Sequence, residues 1–426
     1  MFGSRSSEKS GITSANMNKL TGDYIEKFLV VTLSSLAVSI FYSHGGMTIF
    51  GLASIGALLI WRFYLKSEPL VRIPKSVLIL TGLYFLIIPL SLFVSEEAAP
   101  VFAELKKIRH VLLAGLLFTA PLRDQYRKYA LYFFFGTAII DGLIGIYQYL
   151  YLGDIRPRGF DPNQILYAGK IAFACGSAVI LLLLVKNNKK WENIYLVLAA
   201  LVTFVAILLS QSRGVWIALF IACSVTVYLY RASLALRFFI ALFLIFAVIF
   251  TFSMSLRDRA SSIVTSIYSE DYLGNTGTRL ELWKGSLLIL KESPLLGTGI
   301  GDFGRDSLAL ISANKMKGVP TVDHAHSIYF HTLATRGVIG LVVLVSLFFA
   351  IIRWSLRHIR HYGGVGGYFI LLSSLLAIVG GLTENNIEIS RYLAAYCFIL
   401  GVSGPLSLKT QRIAPYPRAI EAASSK

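Results

Sequence analysis

Apolar stretches long enough to cross a lipid bilayer recur from about residue 28 to about residue 407, separated by polar breaks. No other feature constrains this chain as much. A hydrocarbon core about 30 Å thick takes roughly 20 apolar residues per helical crossing, and every backbone amide inside it has to be satisfied within the protein. Composition agrees: 55% of residues are apolar and 15% charged, with a mean hydropathy of +0.67, well outside ordinary soluble usage. The fold class is therefore all-α, a polytopic membrane protein of about twelve transmembrane helices. The spans fall near 28–43, 46–61, 76–94, 108–120, 129–151, 168–186, 194–210, 214–230, 237–255, 337–353, 365–383 and 391–407. The fourth is short. The chain divides into spans one to nine (1–255), a long polar loop (256–335), spans ten to twelve (336–408) and a tail (409–426).

Lys and Arg in short loops mark the cytoplasmic side, and alternate loops carry them. Arg62, Lys66, Arg72 and Lys75 form one such loop, and Arg123, Arg127 and Lys128 the next. Lys186, Lys189 and Lys190, then Arg231 and Arg237, then Arg353, Arg357 and Arg360 continue the series. Both termini are basic and belong to the same side, so most of the net charge of +17 is topological. The cations build no single face with interleaved aromatics, which argues against a nucleic-acid partner. The N-terminus has no short apolar core followed by a small-residue cleavage site and reads as an uncleaved cytoplasmic leader. Cys175, Cys223 and Cys397 fall within predicted spans, without metal or disulfide spacing, and read as core filler.

The opposite side carries unexpected polarity in four segments: 96–109, 153–164, 210–214 and 256–335. A loop as long as the last is usually functional. Within it, Thr278-Arg-Leu-Glu281 has capping-box form, and an amphipathic helix is expected from Arg279 to about Lys291, stopped by Pro294. Trp283 lies one turn from Arg279 and reads either as an interfacial anchor or as a substrate contact. Gly297, Gly299 and Gly301 form no dinucleotide fingerprint, because no parallel sheet unit surrounds them. In Ser210-Gln-Ser-Arg213-Gly-Val-Trp216, an arginine sits between two spans, a costly position unless it faces protein, water or an anion. Its forked donors match phosphate oxygens. Arg156 and Arg158 add two cations against the usual charge bias. Asp323, His324 and His326 look superficially like a metal cluster but fit no strong zinc spacing, and no metal is expected. A histidine near a helix N-terminus is held neutral by the dipole and able to accept a proton, although a histidine at a helix end is often only a hydrogen-bonding group. Glu384 could orient a catalytic group; a satisfied helix-end carboxylate is the simpler account.

Four motifs in order, Ser210-Gln-Ser-Arg-Gly-Val-Trp216, Thr278-Arg-Leu-Glu-Leu-Trp283, Pro294-Leu-Leu-Gly-Thr-Gly-Ile-Gly-Asp-Phe303 and His324-Ala-His-Ser-Ile-Tyr329 followed by Arg336-Gly-Val-Ile-Gly-Leu341, resemble the bacterial O-antigen ligase and polymerase superfamily. The resemblance implies a C-class membrane glycosyltransferase (GT-C) bundle with a helical periplasmic cap. In its ligases a glycan moves from undecaprenyl diphosphate to a sugar of the lipid A core, completing lipopolysaccharide in the inner membrane. It also implies a catalytic histidine at His326 and essential arginines at Arg213 and Arg279, with Arg158 the less secure match. The family's His-x-His-Asn pattern has Ser327 in its last place here. Arg156, Trp283 and His324 are the further candidate substrate contacts.

The chemistry fits these residue types. A sugar hydroxyl needs a general base, and a departing diphosphate needs preorganised positive charge, so no cofactor is required. Three alternatives stay open: an O-antigen polymerase using the same donor, a protein O-oligosaccharyltransferase, and a lipid-linked glycan transporter. The first outward loop, Ser43-His-Gly-Gly46, lacks the acidic residues common in metal-using oligosaccharyltransferases, and the absence of a repeated half counts against a carrier.

Overall fold

Each apolar stretch within the described residues becomes a helix, because at membrane depth only the helix satisfies its own backbone. The computed structural model describes residues 14–64, 71–185, 188–234, 275–319, 323–362 and 364–407, with short pieces between 236 and 251. The chain is an all-α polytopic membrane protein, with no strand among the described residues.

The helices are α1 (Ser14–Tyr42), α2 (His44–Leu59), α3 (Lys75–Leu90), α4 (Ala98–Leu105), α5 (Ile108–Thr119), α6 (Asp124–Tyr151) and α7 (Gln164–Leu184). They continue with α8 (Lys190–Leu209), α9 (Arg213–Tyr230), α10 (Asn275–Glu292), α11 (Phe303–Ser312), α12 (Ile328–Tyr362), α13 (Gly366–Gly380) and α14 (Ser390–Ser403). Among the described residues, eight are long and apolar enough to cross a membrane: α1, α2, α3, α6, α7, α8, α9 and α12. Three more expected spans are shorter helices, with 12 residues in α5, 15 in α13 and 14 in α14. Eleven of the 15 residues of α13 and 11 of the 14 of α14 are buried, so protein more than lipid surrounds them and they need not match the bilayer thickness. The span expected at 237–255 lies largely outside the described residues, as do 256–274 of the long loop.

One large apolar core joins α1, α2 and α5–α9 to α13 and α14, with α7 almost wholly inside it. The three cysteines are buried in this bundle as free thiols. Arg127, read from sequence as a loop cation that fixes orientation, is instead fully buried in the first turn of α6. Its guanidinium donates to Leu117 O, Ala120 O and Leu122 O at 2.8–3.1 Å and to Gly401 O and Val402 O at 3.0–3.3 Å. Helix ends leave carbonyls unpaired. This one side chain caps the C-terminal ends of both α5 and α14 and ties them to α6.

A second, smaller core forms where α10 and α11 pack on the start of α12, from Leu282, Ile289, Phe303, Leu310, Met316, Ala325 and Ala334. The expected capping box at Thr278–Glu281 is not formed, because the helix already begins at Asn275. The buried Glu281 carboxylate accepts from Lys317 N at 3.0 Å instead, closing the turn after α11. Helix α12 is broken at Gly337, with φ 63° and ψ −167°. There Val338 N and Ile339 N donate to Pro294 O and Leu295 O, while Thr298 N and Gly299 N donate to Ala334 O and Thr335 O. The Pro294–Gly299 loop is thereby stitched into the break. That φ and ψ combination is accessible essentially to glycine alone, and a Cβ at Gly337 would lie 2.2 Å from Leu295 O. Gly337→Ala is expected to destabilise the protein by about 2 kcal/mol or more, read as a fall in thermal midpoint in detergent; an unchanged midpoint would refute the interlock.

Candidate active site

The site is built where four connecting segments and the first turns of α10 meet at one end of the bundle. The first is the His324–Ser327 turn leading into α12. Ile328 N donates to Gly381 O at 2.9 Å and the buried Ser327 hydroxyl donates to the same oxygen at 3.3 Å, so this turn is fastened to the end of α13. From the other side, Trp283 Nε1 donates to Ala325 O at 3.0 Å while its ring stacks on Phe330, with centroids 4.9 Å apart. Between these two clamps His326 adopts φ +47°, a left-handed conformation rare for a residue with a Cβ. Such strain persists only where the surroundings over-determine it, and it concentrates at functional sites.

The second segment is 381–389, between α13 and α14, and it supplies Glu384. His324 Nε2 lies 2.9 Å from Glu384 Oε1, and His326 Nδ1 lies 3.2 Å from Oε2. Arg279 Nη2 approaches Oε2 at 3.9 Å. Burial works to raise the Glu384 carboxyl, but the hydrogen bonds from His324 and His326 overcome it and hold the group well below the usual carboxylate range. An ionised carboxylate only accepts. Both facing nitrogens therefore carry hydrogens, and on His326 this leaves the Nε2 lone pair as the acceptor. Burial opposes charge on His324, yet its bond to Glu384 raises its pKa overall. Glu384 is thus more than the satisfied helix-end carboxylate that its sequence position suggests; it holds both rings of the motif.

The third and fourth segments are two interlocked turns. In 155–164, Asn163 caps α7 by accepting from Ile165 N and Leu166 N, and the Gln164 amide, with its oxygen turned toward Arg156 as the donors there require, accepts from both Nη atoms at 3.0 Å. In 210–214, Gln211 Nε2 donates to Ile155 O at 3.1 Å and Ser212 Oγ donates to Gln164 O at 3.2 Å, which sets the N-termini of α7 and α9 side by side. Arg213 is the first residue of α9. Helix N-termini present unpaired N–H groups and positive partial charge, a ready anion site.

Together these segments enclose a cavity of about 390 Å³ lined by Arg156, Arg213, Arg279, His324, His326 and Glu384, among others. Asn386 and Tyr392 also line it and carried no signal in the sequence; Gln211, which lay inside the arginine-turn motif without being singled out, lines it too. Burial pulls the Arg279 guanidinium pKa down, with Glu384 opposing that effect. Two candidate residues stand outside the cavity lining. Arg158 is exposed and donates to Pro162 O at 3.2 Å, while Trp283 acts on the backbone of the histidine turn. The structure thus places Arg156, rather than Arg158, at the cavity. His324, His326 and Glu384 have ligand atoms within 4.8 Å of one another and are the described group that could hold a metal ion. The Arg279 cation 3.9 Å from Glu384 is an electrostatic obstacle to that use.

Residues 198–345, which carry the arginine turn, α10 and the histidine turn, match the family model described as O-antigen ligase. Over that stretch the chain is similar to the O-antigen ligase family. It is also similar to an uncharacterized protein of Haemophilus influenzae, 22% identical over 295 residues that cover 64% of this chain and 73% of the relative. O-antigen ligase family proteins are membrane enzymes of the glycosyltransferase type.

The ionised cluster sets a pH window. A raised His324 stabilises the fold fully below its unfolded value of about 6.5, and that contribution is lost as pH rises through the folded value. A depressed Glu384 contributes above its unfolded value of about 4.3, and that contribution is lost as pH falls toward the folded one. The thermal-midpoint difference between wild type and Glu384→Gln should therefore be largest between roughly pH 5 and 7 and shrink on both sides. A difference independent of pH would contradict the ion-paired state.

Proposed function

We propose that this protein is an O-antigen ligase that transfers a glycan from undecaprenyl diphosphate to a sugar of the lipid A core, at the periplasmic face of the inner membrane. The observation that carries this reading is the convergence, on one cavity, of the His326–Glu384 pair with Arg156, Arg213 and Arg279. Alternation of basic loops supports cytoplasmic termini and an outward-facing site. Helices α10 and α11 with their own small core are the described part of the periplasmic cap, and the bundle belongs to the GT-C type on this reading.

In the proposed reaction, the acceptor hydroxyl oxygen attacks the anomeric carbon of the donor sugar. His326 Nε2 takes the hydroxyl proton, and Glu384 keeps the ring in the required tautomer and faces the positive charge that forms on it. The bond from the anomeric carbon to the diphosphate oxygen breaks with both electrons staying on oxygen. Undecaprenyl diphosphate leaves, and the configuration of the sugar inverts. Arg213 and Arg279, with Arg156 beside them and the helix N-termini behind, stabilise the charge growing on the diphosphate in a site partly shielded from water. His324, bonded to Glu384, is a positioning residue. The arginines supply the positive charge that a divalent ion would otherwise bring, so the reaction is proposed to be metal-independent.

With purified, folded protein and both lipids, His326→Ala should reduce transfer by a hundredfold or more and lower the thermal midpoint, because Glu384 loses a hydrogen-bond partner; near-normal turnover would refute the base assignment. Arg213→Ala and Arg279→Ala should each lower turnover about ten- to a thousandfold. Exhaustive chelation should leave activity intact, and loss restored by one specific divalent ion would move the His324–His326–Glu384 cluster into a metal-binding role.

A polymerase would use the same site with a second lipid-linked glycan as acceptor. Envelope lipids from a deletion strain separate the two. Missing long chains with accumulated undecaprenyl-linked polymer support ligation, and single-repeat chains support polymerisation.

A further inference from the structure

Beside the cavity, the polar segment 96–109 brings a second group of cations to the same end of the bundle. Three helices begin there: α2 at His44, α5 at Ile108 and α14 at Ser390. His110 Nε2 and Ser390 Oγ are 3.1 Å apart, and Lys107 Nζ donates to Glu388 O, so the starts of α5 and α14 are joined. Helix α2 packs on α5, and the charges of Arg391, Arg109, Lys170 and Asp161 all act on the His44 ring.

The carboxylates around this point are already committed. Asp161 pairs with Lys170 at 2.7 Å and with Arg391 at 3.1 Å, and Asp141 accepts from Phe160 N beside them. Glu104 pairs with Lys107, and Glu388 with Arg336 at 2.9 Å and His331 at 3.1 Å. Among the described residues none pairs with Arg109, and Nε of both Arg109 and Arg391 is buried without a hydrogen-bond partner. Arg109 and Arg391 are also the second residues of their helices, where the dipole disfavours a cation. Two guanidinium groups and a histidine gathered at helix N-termini, one with no counter-charge, are an arrangement that an anion would relieve. Ile389 and Tyr392, the chain neighbours of Ser390 and Arg391, line the main cavity, so this place adjoins the cavity wall without sharing its arginines.

We propose that Arg109, with Arg391 and His44, binds a phosphate monoester on the headgroup of the acceptor glycolipid and so docks the acceptor beside the donor. The word acceptor rests on the transfer reading above; phosphate binding does not. The test is a binding measurement on the full-length protein in nanodiscs of zwitterionic lipid, using a phosphorylated lipid A-core and the same lipid after phosphatase treatment. Wild type should prefer the phosphorylated form by about tenfold. Arg109→Gln should abolish that preference, Arg109→Lys should retain part of it, and Arg213→Gln, in the main cavity, should leave it unchanged. Equal affinity of wild type for the two lipids, or a preference that survives Arg109→Gln in protein with a normal thermal midpoint, would overturn the proposal. So would an equal dependence on Arg109 for binding of phosphatidylglycerol, which would make the site a reader of bulk anionic lipid, or for inorganic phosphate at matched concentration. If the binding preference holds but no glycan is transferred to this lipid, the transfer reading fails and the phosphate site stands.

Discussion

A single buried carboxylate organises the candidate site of this protein. Glu384 accepts from His324 and His326 and lies within reach of Arg279. Those partners come from the histidine turn and from α10, while Glu384 itself sits between α13 and α14. A buried carboxylate is costly unless it is paired and hydrogen-bonded, so burying Glu384 demands that all these segments arrive together. The left-handed backbone at His326 belongs to the same constraint: Trp283 on one side and Gly381 on the other leave the turn no alternative course.

The short segment 381–389 works on two faces. Toward the cavity it presents Glu384; away from it Glu388 meets Arg336, His331 and Lys107 in a buried network that fastens the segment to α12 and to the start of α5. Arg336 stands immediately before the break at Gly337, where the Pro294–Gly299 loop is hydrogen-bonded into α12. Displacing that loop would therefore disturb α12, then Glu388, then the carboxylate four residues before it. Short helices α13 and α14 can hold this segment because protein more than lipid surrounds them.

Several residues were legible in the sequence for physical reasons. Arg213 and the histidine pair stood near span boundaries, where ionisable groups are expensive and so carry information, and Arg279 stood at the head of the amphipathic helix in the long loop. Other readings failed because they depended on neighbours distant in sequence. Arg127 resembled an orientation signal, yet it satisfies carbonyls of α5 and α14. Thr278 and Glu281 had the spacing of a cap, but the helix starts one turn earlier and Glu281 turns to Lys317 N. The resemblance favoured Arg158 over Arg156, yet it is Arg156, beside Gln164 at the start of α7, that lines the cavity, while Arg158 is exposed.

The sequence by itself determined that the chain is a helical membrane protein, because the bilayer penalises unpaired backbone so heavily that runs of apolar residues have one outcome. It also located the cations and imidazoles that such an environment tolerates only for a reason. Only the tertiary structure decided which of those charges meet. Glu384 lies 58 residues from His326 along the chain, and nothing local specifies that distance; it closes because helix packing, buried ion pairs and the interlocked break at Gly337 bring the segments to one place, where burial makes each remaining hydrogen bond obligatory.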